Sequence, residues 1–109
     1  MQREDIEVSP GQYWIETLPI VQNGQPVADL SGYEFQLQFR TLVGVLIGTG
    51  SAIADGSNIR LTATPATIAL LGTGAASLYA VLIRPVDQSW RAILRQGAVK
   101  KTGVDFSWQ

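Results

Sequence analysis

The chain has 109 residues, a formal charge of -1, and neither cysteine nor histidine. Its length suits one domain-sized core. The missing residue types remove disulfides, thiolate nucleophiles, cysteine- or imidazole-ligated metals and the commonest general base near neutral pH. Nearly half the residues are apolar and charges are sparse, which favours a packed core over disorder. The longest basic cluster is Lys100-Lys101, so nothing marks a nucleic-acid partner.

The first residues, Met1-Gln2-Arg3-Glu4-Asp5, carry both signs of charge with no apolar run behind them, unlike a signal peptide. Ile6 and Val8 predict a short first strand closed by Ser9-Pro10-Gly11. Gln12 to Val21 is apolar at Tyr13, Ile15 and Leu18, and Pro19 places it at an edge or bulge. Asn23-Gly24 is turn chemistry. Tyr33 to Arg40 alternates without a miss, predicting a strand with Tyr33, Phe35, Leu37 and Phe39 inward and Glu34, Gln36, Gln38 and Arg40 in water. Val43 to Thr49 reads as a further strand, interrupted by Gly44 and Gly48.

Asp55-Gly56-Ser57-Asn58 predicts a hairpin turn into the alternating strand Ile59 to Thr64. Thr64 can then cap one helical turn, with Pro65 at its first position and Gly72 stopping it. Leu78 to Arg84 is apolar on both faces, as a central strand requires, and Pro85-Val86-Asp87-Gln88 turns the chain. In Trp90 to Gln96, Trp90, Ala92 and Leu94 alternate with Arg91, Ile93 and Arg95, predicting that the arginine-bearing face is exposed. Ala98 to Val104 supplies a last strand. The stretch Leu61 to Ile83 has no charge but is divided by Thr64, Pro65, Gly72 and Gly74, so it reads as core segments rather than a membrane span. The pattern predicts an all-β fold, an immunoglobulin-like antiparallel β-sandwich of about 7–8 strands with one short helical turn. Residues 1–109 form a single domain in this reading, with residues 105–109 a candidate docking tail.

Two segments carry a resemblance: Gly11-Gln12-Tyr13-Trp14-Ile15, and Asn23-Gly24-Gln25-Pro26-Val27-Ala28-Asp29-Leu30-Ser31-Gly32-Tyr33-Glu34-Phe35. They resemble small bacteriophage virion proteins whose immunoglobulin-like domain opens with a strand, a Gly-containing turn, an Asp-Leu-Ser/Thr-Gly step and an alternating strand ending in a basic residue. The later order is similar too, through Ile59 to Thr64, Leu78 to Arg84 and Arg95-Gln96-Gly97-Ala98-Val99. Gly74 to Tyr79 departs from that pattern by carrying extra residues. The resemblance implies a structural virion protein of the tail, baseplate or fibre-attachment region, made in the host cytoplasm. It would work by contact with other virion proteins and copies of itself, with neck or head decoration as an alternative place.

Independently of the resemblance, Asp29 can accept hydrogen bonds from the backbone of the turn that follows it. Gly32 would allow a sharp strand entry, and Leu30 could tuck under the sheet. Catalytic chemistry finds no footing. The serines lack a histidine partner and nucleophile-elbow spacing. Asp55 to Asn58 lacks the later bidentate acid of a calcium loop, and no phosphate-loop pattern is present. The expectation is therefore a non-enzyme with no cofactor, no metal, no membrane or nucleic-acid partner and no small-molecule ligand. A rival of a different class is a glycan-binding module stacking sugars on Trp14, Trp90, Tyr33 or Tyr79. Phe106 and Trp108, apolar at alternate positions of the tail, are candidate subunit-docking residues.

Overall fold

A computed structural model describes residues 2–105, so the docking candidates Phe106 and Trp108 lie outside the described residues. The elements are β1 (Gln2–Arg3), β2 (Ile6–Val8), β3 (Trp14–Pro19), β4 (Val21–Gln22), β5 (Gln25–Pro26), β6 (Tyr33–Thr41), β7 (Leu46–Asp55), β8 (Asn58–Ala63), α1 (Pro65–Ala69), β9 (Gly74–Pro85) and β10 (Ala92–Lys101). The fold is all-β with one short helix. A single sheet runs β1-β10-β9-β6-β7-β8-β3, with β2 continuing beside β10 and a small β4–β5 hairpin apart.

This one sheet curls into two facing layers because β7 belongs to both. Its first half, through Gly50, pairs with β6; its second half, Ser51 to Asp55, pairs with β8. The layers that result, β6-β9-β10 and β3-β8 with the far half of β7, have the strand grouping of an immunoglobulin-like sandwich. At the crossing, a Cβ on Gly50 would stand 2.5 Å from a Leu37 methyl and 2.6 Å from the Thr62 carbonyl, so only glycine lets the strand pass between its two partners.

The sheet is mixed rather than wholly antiparallel. β1 and β2 both run parallel to β10, with Gln2 opposite Arg95 and Val8 opposite Lys101. The break between them is bridged by the Glu4 N–H donating to the Gln96 carbonyl and the Asp5 carboxylate accepting from the Ala98 N–H. Gly97 makes this possible, since a Cβ there would fall 2.1 Å from the Glu4 carbonyl oxygen.

Leu37, Phe39, Tyr79, Val81 and Val99 from one layer meet Leu18, Ile59, Leu61 and Ala63 from the other in one apolar cluster. The alternation of β6 is realised at Leu37 and Phe39, which are fully buried. Phe35 is half-buried and Tyr33, at the strand entrance, is exposed, because the apolar cluster ends before the strand does. The helical turn forms as its sequence requires: the Thr64 hydroxyl accepts from the Thr67 N–H, Pro65 opens the turn, and Ile68 is buried beneath it. The turn at Asn23-Gly24 has φ of 53° and 78° at its two central residues, which closes the β4–β5 hairpin.

Two strands differ from expectation. The run beginning at Val43 starts its ladder only at Leu46, because Thr41 to Val45 close a hairpin turn. The segments Trp90–Gln96 and Ala98–Val104 are one strand, β10, and its register shifts between Ile93 and Arg95. That bulge consumes Leu94 as an extra residue and inverts the side-chain phase. Ile93 therefore faces out and Arg95 faces in, where it is buried, opposite to the exposure that simple alternation predicts.

Replacing Gly50 with alanine should destabilise the fold by about 1–3 kcal/mol through overpacking. Urea unfolding would read this as a lower midpoint at an unchanged slope.

Candidate functional site

Among the described residues, Arg95 is a buried charged side chain, 2% exposed. Its two terminal nitrogens donate to the two Glu16 carboxylate oxygens at 2.9 and 2.5 Å, a fork-to-fork pair from β10 to β3. Glu4 accepts a longer bond at 3.3 Å. The guanidinium carbon lies 5.5 Å from the Tyr79 ring centre, within cation–π range. The Tyr79 hydroxyl donates to the Glu4 carbonyl, and Trp14 tilts against the Tyr79 ring at 6.5 Å between centres. The Glu16 hydrogen bonds hold the Arg95 pKa above its ordinary value. Burial raises that of the Tyr79 phenol, partly offset by the Arg95 charge.

This cluster spans the side on which the curled sheet is open. β1 and β3 are the two ends of the strand path, and among the described residues no ladder joins them. A crevice of about 310 Å3 lined by Gln2, Leu18, Pro19, Ile20, Val21 and Leu94 marks the seam. With its carboxylates engaged and its arginine buried, the cluster is structural. Sequence reasoning placed Arg95 in solvent; the only signal that could have found it was an unpaired glutamate, Glu16, on the inward-facing side of β3.

The Asp29 turn has the local geometry that its sequence suggests. The Asp29 carboxylate accepts from the Ser31 N–H at 2.9 Å, and this backbone bond holds the Asp29 pKa below its ordinary value. Leu30 is buried, and its carbonyl accepts from the Tyr33 N–H to start β6. Gly32 is different: it does not adopt a left-handed φ, and a Cβ there would meet open space. The sharp strand entry is made by the Asp29 bond and the Leu30 anchor, not by the freedom of Gly32.

The four aromatic rings offered for sugar stacking do not form one platform. Tyr79 is buried on the inner face and Trp14 packs against it. Tyr33 and Trp90 are exposed, Trp90 with its indole N–H donating to the Gln88 side chain. Among the described residues, no three His, Cys, Asp or Glu side chains converge as a metal-binding group. No helix of the described residues is long and apolar enough to cross a membrane.

Two further surfaces stand out among the described residues. One is the outer face of β6, β9 and β10, an open groove of about 790 Å3 whose lining includes Gln36, Gln38 and Arg40 from β6, Ala80 and Leu82 from β9, and Ile93 from β10. The other is the β6–β7 hairpin tip. There the Thr41 N–H donates to the Val45 carbonyl, the Gly44 N–H to the Thr41 carbonyl, and the Arg40 guanidinium to the Gly44 carbonyl at 2.8 Å. On this hydrogen-bonded frame Leu42, Val43 and Val45 are 61%, 86% and 60% exposed, an apolar cap on a rigid stem. Comparison with known proteins returns no matching family and no matching curated relative.

Glu16→Ala should cost about 3 kcal/mol, the lower end for an orphaned buried ion because Glu4 remains nearby. The double variant Glu16→Ala/Arg95→Met should recover most of that loss, read by chemical unfolding as a strong coupling in the double-mutant cycle. At Asp29, a depressed carboxylate pKa contributes stability that is present above the ordinary value of 3.8 and lost as pH falls through the folded value. Asp29→Asn should therefore lower the thermal midpoint at neutral pH and flatten the acid limb of its pH dependence.

Proposed function

We propose that this chain is a structural module of a bacteriophage virion that works by protein–protein contact, in the tail, baseplate or fibre-attachment region. The resemblance of the Asp29 to Arg40 stretch supports the setting. The contact mechanism is carried by one observation: the hairpin tip holds Leu42, Val43 and Val45 in water on a stem whose backbone bonds are already satisfied. Exposed apolar side chains on a stiff projection lose water most favourably by seating in a complementary surface. Arg40 and Thr41 anchor the tip from within the same strand, so little ordering entropy would be lost on docking. The partners under this reading are other virion proteins together with copies of this chain.

Mass spectrometry of purified particles from the phage genome that carries the gene should find the chain, and immunogold labelling should place it at the tail. A chain absent from those particles would overturn the reading. Val43→Asp should change the folding stability by no more than about 0.5 kcal/mol, as for other exposed sites, yet reduce incorporation of the chain into particles. Incorporation at the wild-type level would remove the tip from the contact.

A further inference from the structure

We propose that the groove on the outer face of β6, β9 and β10 takes an extended acidic segment of a partner protein, with its carboxylates at the two ends of the groove and its backbone across the middle. Arg40, Arg84 and Arg91 line the groove against one acid, Glu34, a surplus of positive charge on a chain whose formal charge is -1. Glu34 is ion-paired with Arg84, so that acid is already engaged. Arg40 donates to the Gln38 side chain and to the Gly44 carbonyl, both neutral. Among the described residues no carboxylate pairs with Arg40 or Arg91.

The arginines stand at opposite ends of the groove. Arg40 lies beside Leu78, and Arg84 lies further along the same strand, about 20 Å away at the ladder spacing. Arg91 directly precedes Ala92, which pairs with Ile83, so it joins Arg84 at that end. Between the ends the lining holds no cation. Gln38 and Gln96 flank Ala80, while Gln36 and Ile93 flank Leu82, which makes an apolar floor edged by amides.

This layout selects among anions. A nucleic-acid strand carries a phosphate every few ångströms and would leave its central phosphates facing Leu82 and Ala80. A second copy of the chain would bring the same surplus of positive charge. An extended peptide rises about 3.3 Å per residue, so acids at its ends reach both arginine groups while small or apolar side chains cover the floor. Side-chain amides both donate and accept, as the peptide groups above them require. Arginine clusters recognise acidic segments in this way, through charge-assisted hydrogen bonds. Gly44 of the hairpin tip lines the Arg40 end of the groove, so a partner seated on the tip continues into it. The proposal names the chemistry of that partner and rests on the contact-module reading for its setting.

The test is an NMR titration of the isotope-labelled full chain with a synthetic peptide, blocked at both termini, in which glutamate pairs flank a short run of alternating serine and valine. With peptide raised into the millimolar range, amide shifts should fall on β6, β9 and β10, and binding should weaken as salt is added. Arg91→Glu should weaken binding about fivefold or more, and Glu34→Gln should tighten it about threefold by releasing Arg84, a gain that misfolding cannot produce. Arg60→Glu, on the exposed side of β8, should leave affinity unchanged, and thermal melts check that each variant folds. The same peptide with glutamine in place of glutamate should not bind, and oligothymidine of equal length should bind more weakly. No shift on these strands, an equal response to the glutamine peptide, tighter binding of oligothymidine, or no effect of Glu34→Gln would overturn the proposal. A failed titration with Val43→Asp still excluded from particles would sink this groove alone; a bound peptide with Val43→Asp incorporated normally would sink only the tip.

Discussion

The fold depends on how a single sheet, bent back on itself, is held shut along the side that no strand of the described residues spans. On the other side β7 passes through both layers and the backbone does the work. On the open side β1 and β3 are the terminal strands, and Arg95 reaches from β10 to Glu16 on β3. A buried ion pair adds little net stability relative to a well-packed apolar substitute. Its geometry is demanding, however, and the fork of the guanidinium fits the Glu16 carboxylate only when the β10 bulge and the β3–β8 register are both correct. The pair is better understood as a device that selects one closure of the curl than as a source of cohesion, which comes from the apolar cluster.

That division of labour leaves the exterior unencumbered. The inner faces are occupied by the core and the arginine cluster, while the outer face of β6, β9 and β10 and the β6–β7 tip are shaped by backbone ladders and by local side-chain bonds such as those of Arg40 to Gln38 and Gly44. Both surfaces lie outside the buried core. The glycan alternative loses two of its four rings to the interior, since Tyr79 is buried and Trp14 packs on it.

Much of this was readable from the residues. Strict alternation located β6 and β8, the two-faced apolar run identified β9 as central, and Asn23-Gly24 and the Thr64-Pro65 pair announced a hairpin and a helical start. These features are local, each decided within a few residues. What alternation could not supply was anything set by pairing at long range. The extra residue at Leu94 inverts the phase of β10 only because β9 has no matching residue, so Arg95 read as a surface charge. The parallel placement of β1 and β2 beside β10 joins opposite ends of the sequence and leaves no local trace. Gly32 read as a conformational necessity, whereas Gly50 and Gly97 are each crowded by the backbone of a segment distant in sequence. The virtue of Asp29 was legible because its bond spans two residues.

The parallel pairing of β1 and β2 with β10 has a mechanical corollary. Gln2 sits beside Arg95 and Val8 beside Lys101, so the chain enters this ladder at one end and leaves it at the other. A load drawn between those two points acts lengthwise along the paired strands and strains their cross-links together, rather than peeling them apart one after another. Tension between Gln2 and Lys101 thus loads this ladder in shear, with its bonds sharing the force.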